Sequence, residues 1–460
     1  MSNQQESDLL YPLDARPGVL ESTFAALQHV LASFVGIITP TLIIGGVLGL
    51  GSEIPYLISM ALVVSGVGTF IQARRPFGIG AGMICVQGTS FAFLSSVLAA
   101  GFIAKSKGGG PEEILALIYG VCFLGAFVEI FLSQFLHKLQ RIVTPLVTGI
   151  VITIIGVSLI KVGMTDLAGG FKAPDFGSPV NLALGLGVLV TIIILNRFGN
   201  DWIRLSSIII GLAGGYIVAM MLGKVSFAGI DAPLISIPVP FKYGFDFDWG
   251  AFVPIALIYL ITAIESTGDL TANSMISRQP VKGPVYISRI RGGVLGDGIN
   301  SALAAVFNTF PNTTFSQNNG VIQLTGVASR YVGYYIGAIL VILGLFPIIG
   351  AVLQQIPKPV LGGATLVMFG TVAAAGVKIL ATENLDRRKM LIMAVSFGIG
   401  LGVTMVPDLL AQMPKLVQNI FGSAITSGGL AAIILTLLMP ERDAQADSIP
   451  EAPTKEAAQS

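Results

Sequence analysis

The chain has 460 residues, a net charge of +1, 53% hydrophobic residues and only 11% charged ones, against about 25% charged in ordinary soluble domains. Too few charges are present to clothe a soluble protein of this size, and a single soluble core stops growing near roughly 250–300 residues. The near-zero net charge also argues against a nucleic-acid partner.

Residues 1–22 are polar and partly acidic, unlike the basic start of a secretory signal. The apolar run from Phe24 is therefore expected to remain as a first membrane span. Apolar runs of about 20 residues, the length that crosses hydrocarbon, recur along the chain. Fourteen spans are predicted. The first seven lie near 22–49, 55–73, 80–104, 113–135, 143–162, 179–196 and 205–223. The second seven lie near 249–268, 289–307, 309–325, 331–355, 358–380, 388–406 and 423–440. Between the sets, 224–248 is rich in Pro, Phe, Asp and Gly and reads as an irregular connector at the membrane surface, with room for short strands. The ends, 1–19 and 441–460, are polar and read as disordered tails. Cys85 and Cys122 lie inside apolar runs and read as small buried residues.

The basic residues support this count. With the N-terminus inside, eighteen of the 26 Lys and Arg residues, including every arginine, fall on the cytoplasmic side, and eight lysines fall opposite. This is the positive-inside bias with both termini cytoplasmic. Removing one span would invert every later loop and destroy the asymmetry.

Pro145-x3-Gly149-x6-Gly156 opens the fifth span, and Pro359-x3-Gly363-x6-Gly370 opens the twelfth. The echo sits at matching places in two sets of seven. Seven is odd, so the halves have opposite orientation, as in transporters whose substrate sites lie at mid-membrane on broken helices. Two segments are broken in this way. In the third, Gly78-Ile79-Gly80-Ala81-Gly82 precedes Val86-Gln87-Gly88-Thr89-Ser90-Phe91. In the tenth, Pro311-Asn312-Thr313-Thr314 precedes Phe315-Ser316-Gln317-Asn318-Asn319-Gly320. Non-helical backbone at that depth must be buried in protein or line a wet cavity, so the binding site is expected where the two segments meet.

Ionisable residues inside spans mark functional positions. Glu265 and Asp269 stand at i and i+4 on one helical face, Asp297 lies in a glycine-rich span, and His29 lies in the first. A carboxylate able to exchange a proton beside a substrate site is the minimum apparatus of proton coupling. Asp269 and Asp297 could instead cap helices or bind neighbouring polar side chains, and His29 could be structural. Glu129 is expected to pair at the membrane interface. Gly78-x-Gly80-x-Gly82 has no strand–helix unit or acidic partner around it and is no dinucleotide fingerprint. A membrane-embedded enzyme would need a nucleophile–base pair or a metal-ligand set, and neither is evident.

At Gln317-Asn318-Asn319-Gly320-Val321-Ile322-Gln323-Leu324-Thr325-Gly326 the chain resembles the nucleobase–ascorbate transporter family, whose signature is Gln, Glu or Pro, then Asn-x-Gly-x4-Thr, then Arg, Lys or Gly. Leu27-Gln28-His29, Gln87-Gly88-Thr89-Ser90-Phe91, Glu265-x3-Asp269 and Gly292-Gly293-Val294-Leu295-x-Asp297-Gly298 extend the likeness over roughly residues 20–440. Within the family it is most similar to bacterial xanthine permeases, through Asn308-Thr309-Phe310-Pro311-Asn312 and Val360-Leu361-Gly362-Gly363-Ala364, while Ala92 stands where those carry a polar residue.

The resemblance implies an all-α polytopic membrane protein of fourteen transmembrane segments in two inverted seven-segment repeats. It implies a core domain over 20–135 and 249–355, and a gate domain over 136–223 and 356–440. The core moves against the gate like an elevator, and the gate carries a homodimer. The implied activity is proton-coupled import of a purine nucleobase, xanthine first, across the bacterial inner membrane, with no cofactor, metal or catalytic residue. Urate, guanine or uracil remain alternatives, as does an inorganic anion carrier of similar architecture. On the matching positions, Glu265 and Gln317 hydrogen-bond the purine. Phe91, Ser316 and Ser90 line it, with Phe91 stacking, while Asn318 and Gln87 organise the site. Asp297, Asp269 and His29, together with Glu265, relay the proton.

Overall fold

The computed structural model describes residues 9–139, 144–170, 173–225 and 233–439. In the first half, α1 (Val19–Leu48) and α2 (Ile54–Arg74) lead through irregular backbone to a short strand β1 (Gln87–Thr89) and a short helix α3 (Leu94–Ser106). Then come α4 (Pro111–Leu139), α5 (Pro145–Leu167), α6 (Pro179–Phe198) and α7 (Asp201–Met221). The second half opens with α8 (Trp249–Ile276) and α9 (Gly283–Val306), followed by β2 (Asn312–Thr314) and α10 (Gln317–Thr325). It closes with α11 (Arg330–Gly344), α12 (Pro347–Gln354), α13 (Lys358–Leu380), α14 (Arg387–Met405), α15 (Lys415–Phe421) and α16 (Ala424–Leu438).

Local sequence sets many of these starts. Proline stands in the first turn of α5, α6 and α13, where its missing N–H costs nothing. The side chains of Thr144, Ser178 and Asp248 accept from the backbone N–H three residues on.

Eight helices are each long and apolar enough to cross a membrane, and two further spans are bent pairs, α11 with α12 at 72° and α15 with α16 at 78°. Four predicted segments remain. The third and tenth are half strand and half helix. The seventh is α7, and the ninth is α9, which carries Arg289, Arg291 and Asp297. Exposed apolar side chains such as Leu186, Val190 and Ile193 on α6 and Met390, Leu391 and Ile399 on α14 mark faces suited to lipid rather than water.

Two sets of helices make the most extensive contacts. In one, α2 lies along α11, α4 along α9 and α8, and α1 along α11, with both strands held among them. In the other, α13 packs along α5 and α6, and α16 along α14 and α5. Small residues permit close backbone approach in both. A Cβ on Gly66 would lie 2.5 Å from the carbonyl oxygen of Gly337, and one on Gly337 would lie 2.7 Å from that of Gly66. The two echo helices, α5 and α13, pack against each other. A Cβ on Gly156 would stand 2.2 Å from the backbone nitrogen of Ala373, whereas one on Gly370 would meet nothing within 4 Å.

Two expectations change. Tyr11 bridges Val327 in parallel, its N–H donating to Gly326 at 3.2 Å while its carbonyl accepts from Ala328 at 2.8 Å, and Leu13 is buried. The expected disordered tail over 1–19 is thus corrected from residue 9 onward, because backbone pairing to the α10–α11 turn orders it. Residues 1–8 and 441–460, with Arg141 and Lys172, lie outside the described residues. Among the described residues of the connector there is no strand; residues 233–248 hold on through side chains and isolated backbone bonds, such as Phe241 N–H to Val306.

Candidate functional site

The two broken segments meet. β1 and β2 pair antiparallel, with Gln87 opposite Thr314, Gly88 opposite Thr313 and Thr89 opposite Asn312. Flanking bonds extend the pairing, from Ser90 N–H to Pro311 at 2.8 Å and from Phe315 N–H to Val86 at 3.0 Å. Two strands of three residues cannot stand alone; here the surrounding helices satisfy them. Gly88 leaves room for the Phe315 ring, which a Cβ would approach to 2.4 Å. Each strand feeds a short helix, α3 or α10, whose N-terminal N–H groups begin at the crossing.

Asp297 is the hub beneath the strands. Fully buried on α9, it accepts through Oδ1 from the side-chain amides of Gln72 at 2.6 Å and Gln87 at 2.7 Å, and through Oδ2 from the hydroxyl of Ser266. Ser266 in turn contacts the Thr313 hydroxyl at 3.2 Å. Gln72 also donates to the Gly293 carbonyl at 2.9 Å and accepts from Ala81 N–H at 2.9 Å. One carboxylate thus joins α2, α8, α9 and both strands.

Asp269, one turn beyond Glu265 on α8, accepts from Ser316 Oγ at 2.6 Å and Thr314 Oγ1 at 3.3 Å. It anchors the start of α10. Asn318 donates to the Ile84 carbonyl at 2.6 Å, and Asn273 donates to the same oxygen at 2.7 Å. His29 is fully buried on α1 beside the Asn318 side chain, without a well-formed hydrogen bond.

Beside the satisfied Asp297 and Asp269 stand open groups. Glu265 is partly buried on α8, and its Oε2 has no partner among the described residues. The hydroxyl of Ser90, a residue 3% exposed, is likewise unpartnered. Gln317 is half-buried at the first turn of α10. Phe91 lies in the short turn before α3, and its ring meets that of Phe369 on α13 edge-on at 5.2 Å. α8 packs against β2, α10 and the Phe91 turn. The Glu265 and Ser90 oxygens are thus among the buried polar atoms left without a partner, a costly state.

All ten residues singled out from sequence lie on elements that converge here. Glu129 does not behave as expected: it is 1% exposed on α4, its Oε1 lacks a partner among the described residues, and it sits where α4 packs on α8 and α9, not at an interface. Its predicted place failed because the end of an apolar run does not say which face turns inward. Gln72, Ser266, Asn273 and Asn300 were missed. Each is a small or amide polar side chain inside an apolar run, the one signal that could have found them. Asn300, three residues after Asp297 on α9, donates to Gln87 Oε1 at 3.3 Å.

An inverted pair of half-helices meeting over a carboxylate-rich centre defines a multi-pass membrane transporter. Residues 20–409 match a family profile described as "Permease family", and the chain belongs to that family, the nucleobase–ascorbate transporters. It is 46% identical over 446 residues to "Xanthine permease XanP" of Escherichia coli (strain K12), covering 96% of both chains. It is 44% identical over 453 residues to "Xanthine permease XanQ" of the same strain, covering 97% of both. It is also 37% identical over 427 residues to "Uric acid permease PucJ" of Bacillus subtilis (strain 168), covering 91% of this chain and 92% of that one. Among solved structures, the fold matches the transmembrane domain of the cyanobacterial bicarbonate transporter BicA with a TM-score of 0.57 at 16% identity, covering 89% of this chain and 99% of that one. It matches SLC26A9 with a TM-score of 0.60 at 12% identity, covering 92% and 66%. These last two speak for the fold alone.

Proposed function

We propose that this chain imports a purine nucleobase, xanthine, together with protons across the bacterial inner membrane, both termini facing the cytoplasm. The observation that carries the reading is the unpartnered Glu265 carboxylate oxygen on α8, the helix packed against both halves of the crossing. Xanthine is flat, with N–H donors and carbonyl acceptors on its rim. Glu265 accepts from ring N–H groups, the Gln317 amide donates and accepts, and Phe91 offers a ring face. Ser90 and Ser316 line the same crossing.

Asp297 and Asp269 already hold three and two side-chain donors in this structure. They are assigned here to holding the crossing in shape, with Gln87 and Asn318, and to passing the proton onward. Glu265 is the carboxylate left free to take the proton beside the substrate. His29, against Asn318, completes the path.

The body holding the crossing is the core domain, and the α5–α7 and α13–α16 body is the gate. The seam between them favours sliding: Phe91 meets Phe369 by ring edge, and Gly268 on α8 faces Thr148 on α5, where a Cβ would approach Cγ2 to 2.2 Å. On this reading the core moves against the gate like an elevator, with a second copy docked on the gate. Urate is a second reading supported by the uric acid permease relative. An inorganic anion is disfavoured by the acidic Glu265 at the crossing.

Uptake of labelled xanthine into cells producing the protein tests the reading. It should collapse when a protonophore dissipates the gradient and should be competed by unlabelled xanthine. Uptake indifferent to the protonophore, and not competed, would reject it.

A further inference from the structure

One partly buried cluster of charge lies outside the crossing. On the side that the basic-residue bias assigns to the cytoplasm, arginines from four stretches of chain converge. Arg75 follows α2 with its backbone left-handed at φ 57°. Its Nη2 donates to the Ser288 carbonyl at 3.0 Å and hydroxyl at 2.7 Å, beside Arg289. Arg289 on α9 is only 8% exposed and donates through Nη1 to Gln279 at 2.9 Å. Arg330, at the start of α11, pairs with Asp14 at 2.9 Å. Arg16 donates to the Tyr331 hydroxyl at 3.0 Å and lies over its ring at 4.7 Å. Arg289 is within electrostatic reach of Arg75, Arg330 and Asp14.

Topology alone asks for cations on this side but not for their burial, since arginines placed for orientation snorkel into water. Here the Nε–H groups of Arg75, Arg289 and Arg330 are all buried and have no acceptor among the described residues. Among the described residues, Asp14 is the carboxylate that pairs within the cluster. Three unmet guanidinium donors arriving from three helices, with positive charge in excess, call for a small anion whose acceptors point in several directions. A phosphate group answers that geometry, because its tetrahedral oxygens accept from guanidinium forks on separate elements.

We infer that Arg75, Arg289 and Arg330 form a binding site for a phosphate group, with Arg16 at its rim. The group belongs either to a soluble phosphate compound of the cytoplasm or to the headgroup of an acidic phospholipid. Its occupancy ties residues 11–16, which pair with the turn after α10, to the ends of α2 and α9, the helices that carry Gln72 and Asp297. A phosphate compound bound there therefore braces the underside of the substrate crossing.

The test uses the full chain in nanodiscs of phosphatidylcholine. Thermal unfolding is followed as inorganic phosphate or pyrophosphate is added, against chloride at equal ionic strength. A saturable rise in midpoint is expected, with half-saturation weakened about tenfold or more in Arg289→Gln, the scale of one lost charge-assisted bond. Arg330→Lys, which keeps the charge and loses the fork, should weaken it too and serves where Arg289→Gln does not fold. A rise seen with phosphatidylglycerol nanodiscs and absent with free phosphate, and lost in the same variants, assigns the headgroup as the source. The inference is overturned if neither source raises the midpoint, or if the rise is the same in both variants.

Discussion

The crossing of β1 and β2 and the α5–α13 seam solve the same problem, bringing two inverted halves together, by opposite means. At the crossing the backbone leaves the helix, and its groups are satisfied by the strands and by the Asp297 network of Gln72, Gln87 and Ser266. At the seam the helices stay intact and approach through glycine, with an ion pair between Lys358 and Asp166 at 3.9 Å near one end. Polar satisfaction fixes one arrangement sharply, because an orphaned buried donor is costly. Small-residue packing is less directional, and here it holds α5 and α13 together within one body.

The contrast can be broken at its strongest point first. Replacing Asp297 with Ala removes the shared acceptor of two amides and a hydroxyl at once. With hydrogen bonds to a charged group worth about 1.5–3 kcal/mol each, the core should lose at least ~3 kcal/mol, read as a collapse of the unfolding midpoint and of protein in the membrane. A variant of wild-type stability would remove Asp297 from its place as hub. Glu265→Gln removes no hydrogen bond seen in the structure, so the protein should reach the membrane in normal amount and yet lose xanthine uptake. Normal uptake would take Glu265 out of the site.

On the seam, Gly156→Val drives a side chain into the backbone of α13 and should cost about 1–3 kcal/mol, the usual toll of overpacking. Gly370→Ala, at the third position of the same motif on the other helix, should change the midpoint little. Equal effects from the two would show that the motif matters as sequence and not as contact. The finest distinction is Gln317→Glu, which exchanges an amide donor for an acceptor. It should reorder competition among nucleobases by roughly 1–3 kcal/mol per mismatched group and leave stability unchanged. An unaltered competition profile would count against recognition by Gln317.

Much of the site was legible beforehand, and the reason differs by residue. Glu265, Asp269, Asp297 and His29 stood out because an ionisable group in an apolar run carries its own cost. Gln317, Asn318, Ser316 and Phe91 were read through a signature rather than through physics. Gln72 and Asn300 escaped notice because a neutral amide in a span is only a weak signal until its partner is known. Leu13 and Tyr11 were misread because a polar, proline-containing segment looks disordered until a backbone edge is there to pair with it.

Hydropathy and the repeated proline–glycine motif marked out the spans and the two halves, and charge placement gave their expected orientation, since transfer of an apolar run into lipid and the bias of arginine to one side are local, additive properties of the chain. Tertiary structure alone decided that residues 87–89 pair with 312–314, that Asp297 binds three donors drawn from positions up to 225 apart in sequence, and that Glu129 turns inward. Those are pairings between distant stretches, and their energy exists only once both partners are buried together.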